Sequence, residues 1–471
     1  MAVSLELADL QGIIARGYGN LGAACFVLLE IVDPAAAKTW LGATIGAVTP
    51  GDAHPEDTSL NIAFTASGLR KLGLAPDILT MFSVEFATGM TTAHRQRILG
   101  DVAESAPEHW DWGGPNTQPV DVLLLLYAQN GTRLAELLDS QARGLAAGGL
   151  AEVRMLDTAP LDDFEHFGFR DAISQPLVEG LGRSGPAANT VKAGEFILGY
   201  PNEYGLYTDR PLLQPSADPG GLLPEDPGGS GARDLGRNGT YLVFRHLRQD
   251  VRGFWQFMDE ATRRPDGSSE PPARTWLAAK MVGRWPSGAP LVVAPDADNP
   301  SLADANDFGY AKEDPYGRRC PIGAHIRRAH PRDSLDPDPG SQGSIAIDKR
   351  HRLLRRGRKY GSAIRPEALL EAGAAAVGDE ERGLHFICLS ANIARQFEFI
   401  QHTWINNPKF DGLYDDVDPL VGAPKPAVFT IQAEPVRRRV LGLPRFVSVR
   451  GGAYFFLPGI RALRYLASDG R

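Results

Sequence analysis

Gly22 to Leu41 reads GAACFVLLEIVDPAAAKTWL, and Gly239 to Met258 reads GTYLVFRHLRQDVRGFWQFM. Each opens on a glycine and an apolar run of strand length, turns at an aspartate (Asp33, Asp250) and continues with helical spacing. An aspartate at such a corner suits a helix N-cap, because its carboxylate accepts free N–H groups of the first turn. A second pair, LNIAFTASGLRKLGL from Leu60 and LHFICLSANIARQFEFI from Leu384, runs from strand through small capping residues into an amphipathic helix. Further strands follow in VDVLLLLYAQ (120–129) and RFVSVRGGAYFFL (445–457). The matched layouts predict an α+β protein of two related halves, each an antiparallel sheet with helices packed on one face.

Between the halves, SADPGGLLPEDPGGSGARDLGRNG from Ser216 is dense in Gly, Pro and Asp and lacks apolar periodicity, so it reads as a long loop or linker. The expected division is 1–215, a linker over 216–238, and 239–471. A chain of 471 residues exceeds what one core usually supports, which agrees. The formal net charge of −8 argues against nucleic acid as the main partner. Cys25, Cys320 and Cys388 are too few and too scattered for a disulfide framework or a zinc pattern, which suits a reducing compartment. The start has acidic residues and no basic region leading into an apolar run, and the longest apolar runs are strand-sized. The expectation is a cytoplasmic protein with no membrane partner.

Three stretches hold candidate chemistry. In CPIGAHIRRAHPRD (320–333), His325 follows the small pair Gly323–Ala324 and precedes two arginines, an imidazole with room above it and cations beside it. His330 lies five residues on, which misses the spacing of a helical metal pair, and Pro331 ends any helix there. In KRHRLLRRGRKYG (349–361) seven residues are Lys or Arg, which for most of them means a solvated face. In FEHFGFRDAISQP (164–176), Asp171 sits among aromatics and glycine, where a carboxylate is costly without a partner or a task; a turn-capping role is the plain alternative.

Together these stretches resemble the dye-decolourising peroxidases, haem enzymes with two ferredoxin-like halves of the dimeric α+β barrel type. GFRD (168–171), GAHIRR (323–328) and LLRRGRKYG (353–361) are similar to the family's distal-aspartate, proximal-histidine and distal-arginine segments, and EFILGYPNEYG (195–205) and 445–467 also fit. The resemblance implies haem b (iron protoporphyrin IX) with His325 as the proximal iron ligand, Asp171 as distal acid-base and Arg355 as distal cation. It further assigns Arg327, Phe169, Leu384 and Phe386 to the haem pocket, the last two on one face of a strand with His385 turned away. Asp418 in VDPLVG would accept the other imidazole N–H, with Asp411, Asp415 and Asp416 close by. Two departures stand out. Ala172 replaces a glycine, at a cost of about 1 kcal/mol if the backbone needs positive φ, and Lys359 replaces a proline, which would loosen the Arg355 segment.

The implied activity is reduction of hydrogen peroxide and single-electron oxidation of bulky aromatic or dye-like substrates. Tyr360 and Trp404 are candidate surface relays for those electrons, although packing is the simpler role for each. A haem-handling protein with weak peroxidase activity, or a non-enzymatic binding module, are the alternatives. Assembly into a homo-oligomer or inside a larger shell is left open.

Overall fold

A computed structural model describes residues 4–364, 370, 380–423 and 426–468. In the first half, strands β1 (Ala23–Ile31), β2 (Thr58–Phe64), β3 (Val122–Ala128) and β4 (Leu150–Asp157) pair antiparallel in the order β2-β3-β1-β4. In the second half, β5 (Thr240–Gln249), β6 (Leu354–Arg355), β7 (Arg358–Tyr360), β8 (Gly383–Ser390) and β9 (Val447–Leu457) pair so that β6 and β7 lie end to end along one edge of β8, whose other edge meets β5, followed by β9. Both halves therefore run second–third–first–fourth, the ferredoxin-like order. The halves join edge to edge where Phe456 of β9 registers with Phe64 of β2. At the opposite ends, the Ala159 N–H just beyond β4 donates to the Lys359 carbonyl of β7 at 2.8 Å, which curves the sheet towards a barrel.

Local chemistry explains the elements. The corner aspartates cap as expected: Asp33 accepts from Ala35 and Ala36 N–H at the start of α1 (Pro34–Thr44), and Asp250 accepts from Gly253 N–H at the start of α3 (Val251–Glu260). The second crossover of the first half is α2 (Gly131–Leu145), capped by Asn130. Strand β3 is buried on both faces, Val122, Leu124 and Leu126 packing into one core and Leu123, Leu125 and Tyr127 into another, as period two requires.

The repeat is offset from the pairing read in the sequence. By sheet position, Gly383–Ser390 is the third strand of its half and matches β3, while Leu60 lies in a second strand. The true counterpart of β2 is the interrupted pair β6 and β7 inside the arginine-rich stretch, which shows no apolar run. At the interruption the segment passes close to β8, where a Cβ on Gly357 would stand 2.5 Å from the His385 carbonyl oxygen. Arg355 registers with Cys388 and Arg358 with His385, so the two arginines address opposite faces of the sheet. Residues 216–238 are also more ordered than a free linker. Leu212–Leu213 pairs with Arg233–Asp234, and buried Arg210 bridges Asp226 and Asp234. Cys25, Cys320 and Cys388 are free and buried. No helix among the described residues is long and apolar enough to cross a membrane.

The face of β5 and β8 turned away from the site holds His246 and His385, with ring centroids 5.0 Å apart and Tyr360 stacked on His385. Burial pushes His246 down to about 2, helped by His385, Arg154 and Arg450, and pushes His385 down to about 4. The unfolded rings protonate near 6.5, so their contribution to stability is complete above that pH and is lost as pH falls towards the folded values. At pH 5 this amounts to about 2 kcal/mol per ring. His246→Phe is expected to lower the slope of unfolding free energy against pH by close to one proton between pH 6 and 4, as measured by denaturant titration at each pH. An unchanged slope would show that His246 takes up its proton in the folded state.

Candidate active site

The proximal side grows from α4 (His325–Ala329), a short helix that stops at His330 ahead of Pro331. His325 is its first residue, and its Nδ1 lies 2.8 Å from Asp418 Oδ2. Asp418 is completely buried, and its Oδ1 accepts the Leu420 and Val421 N–H groups at 2.9 Å each. Burial opposes charge on both partners, yet each outweighs it for the other: the imidazole is raised and the carboxyl held below its usual range. A carboxylate on Nδ1 fixes the tautomer and leaves the Nε2 edge for the cavity that His325 lines. Of the neighbouring aspartates, Asp416 accepts from Thr430 and Asp415 pairs with Arg439.

The distal side is a hairpin over residues 164–171, closed by the bridge between Phe164 and Arg170 and turned at Gly168 (φ 89°). Asp171 follows it, with Oδ1 3.7 Å from Arg355 Nη2. Ala172 adopts φ 62°, so the left-handed backbone that glycine would favour is taken up despite the methyl group. Lys359 does the opposite of loosening its segment. Its ammonium bonds both Asp162 oxygens at 2.5 Å and the Phe164 carbonyl at 3.0 Å, tying the distal hairpin to β7. Gln175 exchanges two hydrogen bonds with the Arg355 backbone, and the Ser174 hydroxyl lies 3.1 Å from His330 Nδ1.

Phe169, Asp171, His325, Arg355, Leu384 and Phe386 all line one cavity of about 240 Å³, which adjoins a second of about 220 Å³. The two share His325, Arg355, Leu384 and Phe386. Phe169 lies parallel to Trp255 at 6.4 Å, which fixes that wall. Arg327 does not line the cavity: it is 1% exposed, bonds Asp314 and the Cys320 carbonyl, and sits 4.4 Å over the Tyr310 ring. Arg284 and Arg332 do line the cavity and are anchored by Asn306. Arg352 lines the second cavity with Nη1 and Nη2 free of hydrogen bonds among the described residues, its nearest carboxylate being Asp348 at 3.8 Å. His330 also lines the cavity, but Ser174 and Asp348 occupy its two ring nitrogens, and burial pushes it down to about 3.

This donor set fits haem. It offers one imidazole edge backed by a buried carboxylate, apolar walls, a carboxylate–guanidinium pair, and further guanidiniums suited to propionates. The cavity arginines and the polar pair Glu165 and Gln249 in its wall escaped sequence reading. Arg332 and Arg352 had a signal, lying in the same basic stretches as His325 and Arg355. Tyr360 donates to Glu381 at 3.1 Å, and buried Trp404 packs against His351 and Phe399.

No family model matches the chain. Among curated proteins, the dye-decolorizing peroxidase msp1 of Mycetinis scorodonius is 30% identical over 99% of this chain and 88% of its own length. A dye-decolorizing peroxidase of Exidia glandulosa is 30% identical over 98% of this chain and 87% of its own. Among solved structures, a dye-decolorizing peroxidase in complex with 2,6-dimethoxyphenol superposes with a TM-score of 0.79 at 26% identity, covering 98% of this chain and all of that one. A match that runs nearly end to end in sequence and shares the whole fold goes beyond common architecture, and the chain belongs to the dye-decolourising peroxidase family.

Proposed function

We propose that the protein binds haem b on His325 and uses Asp171 and Arg355 to reduce hydrogen peroxide, oxidising aromatic donors such as 2,6-dimethoxyphenol, with residues 1–215 supplying the distal aspartate and 239–471 the haem-binding wall. Peroxidases of this family are haem-dependent. One observation carries the reading: the His325–Asp418 pair and the Asp171–Arg355 pair face a single apolar cavity.

Haem, when bound, supplies the redox centre that splits the peroxide and passes its oxidising equivalents on one at a time. Asp418 holds the Nδ1 proton of His325 and makes that imidazole a stronger donor at Nε2. Asp171 takes a proton from one peroxide oxygen and returns it to the departing one, which leaves as water. Arg355 stabilises the negative charge that develops on the departing oxygen. Leu384, Phe386 and Phe169 keep the site apolar, which strengthens both effects.

Titration of the protein with iron protoporphyrin IX is expected to give a Soret band that saturates at one equivalent. Hydrogen peroxide with 2,6-dimethoxyphenol is then consumed with oxidation of the phenol. A protein that stays colourless after haem addition would overturn the reading, and one that binds haem but leaves peroxide untouched would favour a haem-handling role.

A further inference from the structure

Six residues before Asp171, Glu165 spends its whole carboxylate on local donors. Oε2 accepts the Phe167 N–H at 2.8 Å, Oε1 accepts the Phe169 N–H at 3.0 Å, and Oε2 also accepts Gln249 Nε2 at 2.8 Å. The backbone of Glu165 closes the same turn, its N–H donating to the Phe169 carbonyl and its carbonyl accepting from Gly168. Phe167 and Phe169 are nearly inaccessible to water, so their N–H groups have no other acceptor to turn to. Gln249 ends β5, where it registers with Val447 of β9, and both Glu165 and Gln249 line the cavity. One carboxylate thus rivets the first-half hairpin that carries Asp171 to the second-half sheet that walls the haem site.

We propose that Glu165 is a positioning residue for Asp171, holding the turn two residues ahead of it so that the Asp171 carboxylate stands beside Arg355 over the cavity. The inference rests on the reading of Asp171 as the proton carrier. Burial pushes Glu165 up to about 7 against the pull of the Phe167 and Phe169 N–H groups and Gln249, and Asp171 pushes it further. Arg355, from β6, is the cation facing Asp171, and what packs on the turn from α3 is Phe254 and Trp255, which carry no charge.

An amide cannot serve all three donors, since its nitrogen would face an N–H group. At a pH of about 8, where Glu165 is ionised, Glu165→Gln in the full-length, haem-loaded protein is therefore expected to slow the bimolecular reaction with hydrogen peroxide by about 10- to 100-fold, the scale of a displaced catalytic group. The association rate of hydrogen cyanide, which must give its proton to a distal base, should fall in parallel. Haem affinity and the resting Soret band should stay as in wild type. In an Asp171→Asn background the same substitution should change the peroxide rate by less than about twofold, because there is no longer a carboxylate to place. Equal losses in both backgrounds, or no loss in the wild-type background, would overturn the proposal. Should Glu165→Gln fail to fold, Gln249→Leu removes one of the three donors and is expected to show a smaller loss with the same dependence on Asp171. If Asp171→Asn by itself reacts at the wild-type rate, the distal-acid reading fails first and Glu165 loses its task with it.

Discussion

Asp171→Asn is expected to slow the reaction of the haem-loaded protein with hydrogen peroxide by about 10²- to 10⁴-fold, the range set by loss of a positioned acid-base group. An amide is close to isosteric with the carboxylate, and its oxygen can still accept the Ala172 N–H that Asp171 Oδ1 accepts at 2.6 Å. It cannot accept and return a proton. The loop should hold its shape, since Lys359, Gln175 and Ser174 tether it independently of the Asp171 side chain. Haem affinity should therefore remain within about twofold while the peroxide rate falls, the pattern of an interaction made only along the reaction path. Stopped-flow absorbance in the Soret region measures both. A rate within a few-fold of wild type would remove Asp171 from the proton path.

His325→Ala is expected to weaken haem binding by more than 100-fold, since even the outer partners of a metal ligand are typically worth 10- to 100-fold. It should also destabilise the apoprotein, because Asp418 would be left buried opposite a cavity. Breaking one partner of a buried ion pair costs about 3–5 kcal/mol. Asp418→Ala alone should weaken haem binding by about 10- to 100-fold. Titration with haem, and urea unfolding of the apoprotein, give the two readouts. Unchanged haem retention in His325→Ala would move the axial bond elsewhere, and His330 offers little, with both of its nitrogens occupied.

Much of the site was legible because its chemistry lies in short local motifs. His325 after two small residues and Asp171 in an aromatic loop each carry a signal within a few positions, Arg355 was picked out of its basic run by the family resemblance, and all three line the same cavity. That Arg332 lines the cavity and Arg327 does not has a reason local sequence does not contain. Arg327 and Arg332 lie in the same helix-and-loop segment, but Asp314 and Tyr310 draw the first inward while the left-handed backbone at Arg332 (φ 58°) ends at the cavity wall. The repeat was likewise visible but misregistered, because β6 and β7 are too short and too charged to look like a strand.

By itself the sequence determined the alternation of strand and helix, the aspartate caps at Asp33 and Asp250 and the two-fold repeat, and it singled out His325 and Asp171 as the residues proposed here for the axial and distal roles. Those depend on side-chain period, capping and steric room, which act over a turn of helix or a few residues of strand. The tertiary structure alone decided which aspartate, 93 residues away, meets His325, which arginines reach the cavity, and that Glu165 clamps the distal turn to Gln249. Such partners are set by the order of strands in the sheet and the crossing of loops over it, and no spacing along the chain encodes that.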